Sequence, residues 1–254
     1  MERPKIPLSA VIITKNEEKN IAACIKSVSF ADEIVVVDSR STDKTVQIVE
    51  SLDAKIFIED WKGYGPQKNS AISKCRNQWV LVLDADERIP PETQEEIAET
   101  LKHPAADAYS FPRKNLLRDK WIKHAGFWPD RVIRLVKKNQ GFFSEGVHEK
   151  WVARDTLKEL KKPIEHLSFS GYSDMLHKLN SYSSSIAAEL KHKGKTSNGF
   201  TAVFHGLGMF FKIYVLKSGF LEGLDGLVIA LTKAGGSFFK YAKLVEFTRH
   251  NPKR

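Results

Sequence analysis

The chain has 254 residues, of which 42% are hydrophobic and 10% aromatic, so a disordered class of protein is excluded. A chain of this length accommodates one α/β domain with an appendage, or two small domains. The two cysteines, Cys24 and Cys75, have neither metal-ligand nor paired spacing, which excludes a disulfide framework and favours a reducing compartment. The first apolar run is too short for a signal peptide and is typical of a strand.

The formal net charge of +9 is concentrated at the C-terminal end. Residues 191–254 contain eleven Lys or Arg against three Asp or Glu, a net charge of +8. Basic segments of this kind bind nucleic acid or anionic membranes. Because the segment is also rich in Phe, Leu, Ile and Gly, we expect a membrane surface and no nucleic acid.

Apolar and polar runs alternate regularly over the first hundred residues. Buried strands are predicted at residues 8–14, 33–38, 54–58 and 79–83, each followed by a helix. Asn16 is the predicted N-cap of the first helix, whose apolar residues recur at helical spacing between Ile21 and Val28. This alternation predicts an α/β fold with a mostly parallel, doubly wound sheet.

The pattern changes after about residue 108. Further strands are predicted at residues 109–111, 132–136 and 147–152, followed by a helix from 171 to about 192. Apolar stretches interrupted by charge come next, and the longest uncharged one, residues 198–211, is too short to span a bilayer.

Polar residues follow three of the predicted strands. Ligands of parallel sheets bind at the carboxyl ends of the strands, so we expect these groups to meet at one edge. The groups are residues 15–17, 38–40 and 84–86.

Asp84 and Asp86 are two carboxylates at positions i and i+2 directly after a buried strand. Mg²⁺ and Mn²⁺ take ligands of this type together with substrate phosphates. The alternative is a solvated turn, which becomes less favourable at the end of the fourth strand of an alternating sheet. Asp38 is placed to accept a hydrogen bond from a nucleotide base or ribose, whereas Ser41 to Asp43 are typical of a helix start.

Three motifs at these strand ends resemble the family 2 glycosyltransferases, which have the GT-A fold. They are VIITKNEE (11–18), VVVDSRSTD (35–43) and LDADER (83–88). Ser39 and Arg40 stand where the family usually has a further Asp and a Gly. The runs WPDRVIRL (128–135), GVHE (146–149) and GFLEG (219–223), with the basic tail, resemble the lipopolysaccharide core β-1,4-glucosyltransferase subfamily.

The resemblance implies inverting transfer of a sugar from a UDP-sugar, assisted by Mg²⁺ or Mn²⁺. The metal ligands are then expected to be Asp86, with Asp84 and His148. The predicted nucleotide-sugar site comprises Thr14, Asn16, Glu17, Asp38, Arg40, Lys68, Asp84, Arg131 and Arg134. Arginine suits phosphate oxygens, although Arg131 and Arg134 are equally compatible with surface charge, and Lys68 with an exposed helix face.

Inversion by one displacement requires a general base for the acceptor hydroxyl. Glu149 is the first candidate, at the end of an apolar run next to a glycine, and Asp130 is the second. An aromatic loop containing Trp121, Phe127 and Trp128 either stacks on sugar or closes the core.

The predicted domains are a GT-A catalytic domain at 1–170 and a helical, basic, membrane-associating extension at 171–254. Residues 1–105 would form the nucleotide-binding half of the first domain and 106–170 the acceptor-side half. The apolar residues of the tail are also compatible with packing on the catalytic domain or with a dimer interface. Glu222 and Asp225 count against deep burial in lipid.

The sequence thus predicts a hexosyltransferase, with glucose as the expected hexose, at the cytoplasmic face of the inner membrane. The acceptor would be a lipopolysaccharide core or another lipid-linked saccharide. Alternatives are a polyprenyl phosphate or polysaccharide acceptor, a nucleotidyltransferase, or a non-catalytic basic module that binds lipid or nucleic acid. A nucleotidyltransferase usually has a glycine-rich basic loop after the first strand, and residues 15–18 are not of that type.

Overall fold

The computed structural model describes residues 5–145, 150–153 and 156–249. The chain divides into two compact units. The first unit consists of residues 1–114 and 130–166, and the second consists of residues 115–129 and 167–254. The domain boundary expected after residue 170 stays a prediction, whereas the loop of residues 115–129 belongs to the same unit as the C-terminal helices.

Alternating strands and helices build the first unit, as the sequence pattern predicts. Its strands are β1 (Ile6–Thr14), β2 (Ala31–Asp38), β3 (Lys55–Ile58), β4 (Trp79–Asp84), β5 (Glu87–Arg88), β8 (Asp130–Lys137), β9 (Gly141–Phe143), β10 (Trp151–Ala153) and β11 (Leu157–Glu159). Two further strands, β6 (Ala108–Leu117) and β12 (Ile164–Phe169), begin in the first unit, and the last three residues of each belong to the second. The short strand β7 (Lys120–Trp121) belongs to the second unit. Its helices are α1 (Ile21–Ser27), α2 (Thr45–Glu50), α3 (Tyr64–Ser73) and α4 (Pro91–Lys102).

The main sheet has the strand order β3-β2-β1-β4-β8-β6-β12-β5. The first four strands of this order are parallel, which confirms the parallel sheet predicted from the alternation over the first hundred residues. β8 then enters antiparallel to both β4 and β6, so the complete sheet is mixed. The predicted strand at residues 147–152 falls partly outside the described residues, and Trp151–Ala153 pairs with β9 in a separate two-stranded sheet.

Both faces of the parallel region are buried. On β1, Leu8, Ala10 and Ile12 belong to one apolar cluster, whereas Val11 and Ile13 belong to another. Successive side chains of a strand point to opposite faces, so this division places one core on each side of the sheet. A strand covered on both faces reads as a continuous apolar run, which is the signal that the sequence carries.

The prediction that Asn16 caps the first helix is wrong. α1 begins at Ile21, with Asn20 at the capping position. Asn16 has a φ of 55°, and its side-chain oxygen accepts a hydrogen bond from the backbone N–H of Thr42 at 2.8 Å. A short amide side chain tolerates this left-handed backbone and forms local bonds, so Asn16 ties two loops together instead.

The second unit is helical. It contains α5 (Tyr172–His192), α6 (Gly199–Phe211), a π-helical turn at Lys212–Leu216, a 3₁₀ turn at Gly219–Glu222 and α7 (Leu224–Arg249). Its core joins apolar residues of the 115–129 loop, such as Phe127, to Met175, Ile213 and Ile229 on the helices. For Phe127 the structure therefore favours core packing over a sugar platform.

The GFLEG run at residues 219–223 fastens the 115–129 loop. The buried Glu222 carboxylate accepts backbone N–H bonds from Lys123 at 2.9 Å and His124 at 3.0 Å. A Cβ on Gly226 would lie 1.8 Å from the carbonyl oxygen of Gly219, so this close approach needs glycine. The motif has a structural role within the second unit.

One helical stretch among the described residues, Gly199–Leu216, is long and apolar enough to cross a membrane by length and composition alone. The sequence prediction concerned the shorter uncharged run of residues 198–211, which is too short by itself. The uncharged run ends at Phe211, but the helix continues through the π-helical turn beyond Lys212.

Candidate functional site

The carboxyl ends of three strands of the first unit meet at one edge of the sheet. Thr14 at the end of β1 pairs with Asp38 at the end of β2, and Ile13 pairs with Asp84 at the end of β4. The predicted polar groups after these strands are therefore neighbours. In parallel α/β sheets this edge is where ligands bind.

The loops after β1 and β2 are bonded to each other. Asp38 is fully buried, and its two carboxylate oxygens accept hydrogen bonds from the backbone N–H and the hydroxyl of Ser41, at 2.7 and 2.5 Å. The backbone N–H of Asn16 donates to the Ser41 hydroxyl at 2.8 Å, and that of Glu17 donates to the Thr45 hydroxyl at 2.8 Å. These bonds hold the predicted donor-binding loops in a fixed arrangement.

Two buried hydroxyls at these strand ends have no hydrogen-bond partner within residues 5–145, 150–153 and 156–249. They belong to Thr14, which is 6% exposed, and to Ser39, which is 2% exposed. Buried hydroxyls are normally hydrogen-bonded, so unsatisfied ones mark a place where a ligand or water can bind. Ser39 is not among the predicted site residues, although it stands where the family motif varies.

Asp84 is held by two cationic side chains. The ammonium of Lys68, which is fully buried, lies 3.1 Å from Asp84 Oδ1. The guanidinium of Arg134 lies 2.5 Å from Asp84 Oδ2. Both cations are predicted near the donor, and the structure brings both to Asp84. The alternative of an exposed helix face for Lys68 is wrong.

These cations decide the charge state of Asp84. Desolvation alone would raise the pKa of the carboxyl, but the charges of Arg134 and Lys68 outweigh it and hold the pKa well below its usual range. Asp84 is therefore ionised at neutral pH. Both of its oxygens face cations, so a metal ion would have to compete with Lys68 and Arg134 for them.

The network continues to two groups that the sequence analysis missed, Glu87 and Arg113. Glu87 is fully buried and accepts two hydrogen bonds from Arg134, each of 2.8 Å. Arg113 lies 3.6 Å from Glu87 and donates to Asp130 at 2.6 and 2.9 Å. Asp130, one of the two candidate bases, is therefore part of the same network.

Asp86 points to a different partner. Its Oδ2 lies 3.4 Å from Nε2 of His166, and the two side chains are 21% and 18% exposed. His166 lies on β12, where it pairs with Glu87 of β5, so the sheet register brings it beside the acidic motif. Sequence reasoning missed His166 because the pairing of β12 with β5 joins segments nearly eighty positions apart.

A carboxylate beside an imidazole fits a divalent cation that takes its other ligands from phosphate oxygens and water. Asp86 and His166 supply two such groups, and no cluster of three or more His, Cys, Asp or Glu occurs in the described part of the chain. The donor set therefore fits a metal completed by the substrate and does not fit a closed structural site.

Lys68 lies on helix α3, whose backbone at Gly65 approaches the backbone of Ser144 closely. A Cβ on Gly65 would lie only 2.0 Å from the carbonyl oxygen of Ser144. Asn69, one position after Lys68, bonds the backbone of Phe143 through both atoms of its amide, each at 2.8 Å. The helix is thereby fixed against the end of β9.

Two predicted residues of the nucleotide-sugar site, Arg131 and Arg40, have other partners. The Arg131 guanidinium donates to the carbonyl oxygens of Ser110 and Leu160 rather than to Asp84, so its donor role stays a prediction without a supporting contact. Arg40 is exposed and forms an ion pair with Asp60. His148 and Glu149, the predicted metal ligand and base, lie outside the described residues.

Comparisons with known proteins identify the family of this chain. Residues 9–174 match the family described as glycosyl transferase family 2. The chain is 32% identical to the lipopolysaccharide core biosynthesis glycosyltransferase LpsC of Rhizobium meliloti, over 97% of this chain and 94% of that protein. It is 34% identical to an uncharacterised glycosyltransferase of Rickettsia bellii, over 95% of this chain and 87% of that protein.

Similar solved structures include TarS 1–349 of S. aureus, with 17% identity, a TM-score of 0.47 and coverage of 98% of this chain and 93% of that one. Another is a glucosyl-3-phosphoglycerate synthase of Mycobacterium tuberculosis crystallised with Mn²⁺ and UDP, with 23% identity, a TM-score of 0.36 and coverage of 44% of each chain. Both TM-scores are below 0.5, so neither structure assigns a ligand here. The family match and the full-length relatives confirm the resemblance seen in the motifs, and the chain belongs to glycosyl transferase family 2 as a glycosyltransferase of α/β, GT-A type.

Proposed function

We propose that this glycosyltransferase moves a hexose, with inversion, from a UDP-sugar to a lipopolysaccharide-core or other lipid-linked saccharide at the cytoplasmic face of a membrane. The observation that carries the proposal is one sheet edge that holds unsatisfied buried hydroxyls, an ionised Asp84 and the Asp86–His166 pair. The similarity to LpsC along nearly the whole chain supports the class of acceptor.

The nucleoside would bind at the ends of β1 and β2. Thr14 and Ser39 offer hydroxyls that can donate or accept, and hydrogen bonds fix the loop between Asp38 and Ser41 beside them. Such a rigid arrangement binds a flat base and a ribose with little loss of conformational freedom.

Charge balance explains why a divalent cation is expected here. The buried and half-buried cations of the network, Lys68, Arg113 and Arg134, are matched by the carboxylates Asp84, Glu87 and Asp130. The diphosphate of a donor would therefore add negative charge that the network does not neutralise. A Mg²⁺ or Mn²⁺ ion held by Asp86 and His166 would neutralise the diphosphate and stabilise it as a leaving group.

Transfer with inversion is a single displacement. The acceptor oxygen forms a bond to the anomeric carbon while the bond from that carbon to the diphosphate oxygen breaks and leaves its electron pair on UDP. The acceptor proton passes to a general base. Glu149 remains the first candidate, since the Asp130 carboxylate accepts two hydrogen bonds from Arg113 and would lose that pairing on protonation.

The first test is calorimetric titration of the full chain with UDP, with and without Mn²⁺ or Mg²⁺. We expect UDP to bind in the presence of metal, and Asp86→Ala and His166→Gln to weaken the metal-dependent part by roughly tenfold or more. Asp107→Asn is the matched control, because Asp107 pairs with Lys137 at the start of β6. If UDP fails to bind under every metal condition, the proposed donor is wrong.

A second assay addresses the sugar and the acceptor. The chain is incubated with UDP-glucose or another UDP-hexose and a purified lipopolysaccharide core as the acceptor, and the anomeric configuration of the product is read by NMR. Transfer of glucose with inversion supports the full proposal. If sugar is transferred only to polyprenyl phosphate, the proposed donor is correct and the proposed acceptor class is wrong.

A further inference from the structure

The second unit exposes an apolar face that no neighbouring element of the described chain covers. Large side chains recur along α6 at intervals of three and four and are 49–90% exposed. This face consists of Phe200, Val203, Phe204, Leu207 and Phe211. The buried side of the same helix, with Ala202 and Gly206, packs on α7, where a Cβ on Gly206 would lie 3.2 Å from the Phe238 Cβ.

The apolar exposure continues past α6. Exposed large apolar residues also follow on the π-helical turn, the 3₁₀ turn and the start of α7, namely Val215, Leu216, Phe220, Leu221 and Leu224. A soluble monomer rarely leaves so many adjacent aromatic and aliphatic side chains in water without a function for them.

Charge around this face is positive. Lys212 and Lys217 are exposed, and the described structure gives them no acidic partner. The nearby acidic residues Glu222 and Asp225 are 7% and 13% exposed and are occupied by cations of the 115–129 loop. The sequence analysis counted both carboxylates against contact with lipid. Because their charges are paired within the second unit, they do not oppose such contact.

A basic cleft of about 230 Å³ adjoins the apolar face, between α6 and α7. Its lining includes His205, Lys212 and Lys240, together with Phe204 from the apolar face. The centres of the His205 and Tyr241 rings lie 4.3 Å apart in a stacked arrangement. The Lys240 ammonium lies 4.4 Å from the centre of the Tyr241 ring. Three nitrogen-bearing side chains around an open space suit a phosphate group.

We propose that the exposed face of α6 docks on the surface of an anionic lipid bilayer, with the phosphate of one lipid headgroup lying between His205, Lys212 and Lys240. The apolar side chains enter the boundary between headgroups and acyl chains, while the lysines contact anionic lipid. The helix lies in the plane of the membrane, because its other side is packed against α7.

A second copy of this chain fits the surface less well. A symmetric contact would bring the same face of both copies together and would oppose their basic clefts. Like charges facing each other across an interface disfavour association. The positive charge instead complements an anionic membrane.

The proposal deepens the proposed function, since a lipid-linked acceptor is reached from a membrane surface. It is tested by flotation of the full chain with vesicles of phosphatidylcholine alone, or of equal parts phosphatidylcholine and phosphatidylglycerol. We expect binding to the anionic vesicles, weaker binding to the neutral ones, and a decrease with salt.

Two pairs of variants separate the apolar and the basic contributions. Phe204→Ser with Leu207→Ser should lower the partition coefficient roughly tenfold or more. The matched control is Leu176→Ser with Tyr182→Ser, two exposed apolar residues of α5.

Lys212→Gln with Lys240→Gln should lower the partition coefficient about fivefold for each lysine and reduce its salt dependence. The matched control is Lys26→Gln with Lys158→Gln, two exposed lysines of the first unit. Circular dichroism and the UDP titration should be unchanged in all of these variants. The donor site and the membrane contact can therefore fail independently.

Three results would overturn the proposal. The first is an absence of binding to anionic vesicles. The second is a dimer that dissociates on Phe204→Ser with Leu207→Ser, which would make the face an interface between copies. The third is protein that stays with the vesicles in alkaline carbonate, which would indicate that Gly199–Leu216 spans the bilayer instead.

Discussion

Replacing Arg134 by Met should destabilise the first unit through the carboxylate that it leaves behind. Arg134 is 4% exposed and donates to both oxygens of the fully buried Glu87 at 2.8 Å, and to Asp84 at 2.5 Å. Met fills much of the same volume but offers no donor, so the cost arises from lost charge pairing rather than from a cavity.

The expected loss is about 3 kcal/mol of unfolding free energy. Removing one partner of a buried ion pair costs about 3–5 kcal/mol, because the other charge stays buried and unpaired. The lower end applies here, since Arg113 remains 3.6 Å from Glu87 and the Asp84 backbone N–H still donates to Glu87 at 3.1 Å. Combining Arg134→Met with Glu87→Gln removes the orphaned charge, so the double variant should recover about 1–3 kcal/mol relative to additivity.

The assay is urea unfolding followed by tryptophan fluorescence, to which the buried Trp79 of β4 contributes. Arg131→Met is the matched control on the same strand. Arg131 is 29% exposed, pairs with the exposed Glu159 and donates to the carbonyl oxygens of Ser110 and Leu160, so the loss should be about 1–2 kcal/mol. A cost below about 1 kcal/mol for Arg134→Met, or strict additivity with Glu87→Gln, would refute the reasoning.

Three further variants test other parts of the structure by the same unfolding assay. Gly65→Ala should lower the unfolding free energy by about 1–3 kcal/mol and weaken UDP binding, because the new Cβ would lie 2.0 Å from a backbone carbonyl oxygen. Its control is Gly171→Ala, which has open space around it and should lower the unfolding free energy far less. Hydrogen bonds from Lys74 and a second lysine lower the pKa of Glu59 from 4.5 to about 2, so its stabilisation is complete above pH 4.5 and lost as the pH falls through about 2. Glu59→Gln should therefore lower the unfolding free energy by about 1–2 kcal/mol at neutral pH and make it less dependent on pH between 4.5 and 2. An unchanged pH dependence over this range would contradict the prediction. Glu222→Gln should lower the unfolding free energy by about 1–3 kcal/mol, because it removes the charge from a buried carboxylate that accepts two backbone N–H bonds. An unchanged unfolding free energy would show that this charge is not needed to hold the 115–129 loop.

The parallel half of the sheet could be predicted from the sequence because its signals are local. β1, β2 and β4 are continuous apolar runs that end in polar residues, and parallel pairing brings those ends to one edge. The same logic predicts that Asp38, Asp84 and Asp86 share this edge. The family motifs at these positions then indicate the chemistry.

The rest depends on pairings between distant segments. Arg131 and Arg134 are indistinguishable in sequence, and only the register of β8 against β4 and β6 decides which of them reaches Asp84. His166 lies in an unremarkable strand and becomes relevant through its pairing opposite Glu87. The prediction that Asn16 caps a helix fails because the same amide side chain can cap a helix or bond the backbone of another loop.

The two carboxylates of the Asp-Ala-Asp motif have different surroundings, and the difference separates stability from donor binding. Asp84 is fixed between Lys68 and Arg134 and belongs to a network whose charges already balance. Asp86 lies beside His166, and its side chain is 21% exposed. A substitution at Arg134 should therefore lower the unfolding free energy, whereas Asp86→Ala should leave it nearly unchanged and weaken metal-dependent UDP binding. Comparable losses of stability at both positions would mean that the motif acts as one structural unit, and the division of roles would be wrong.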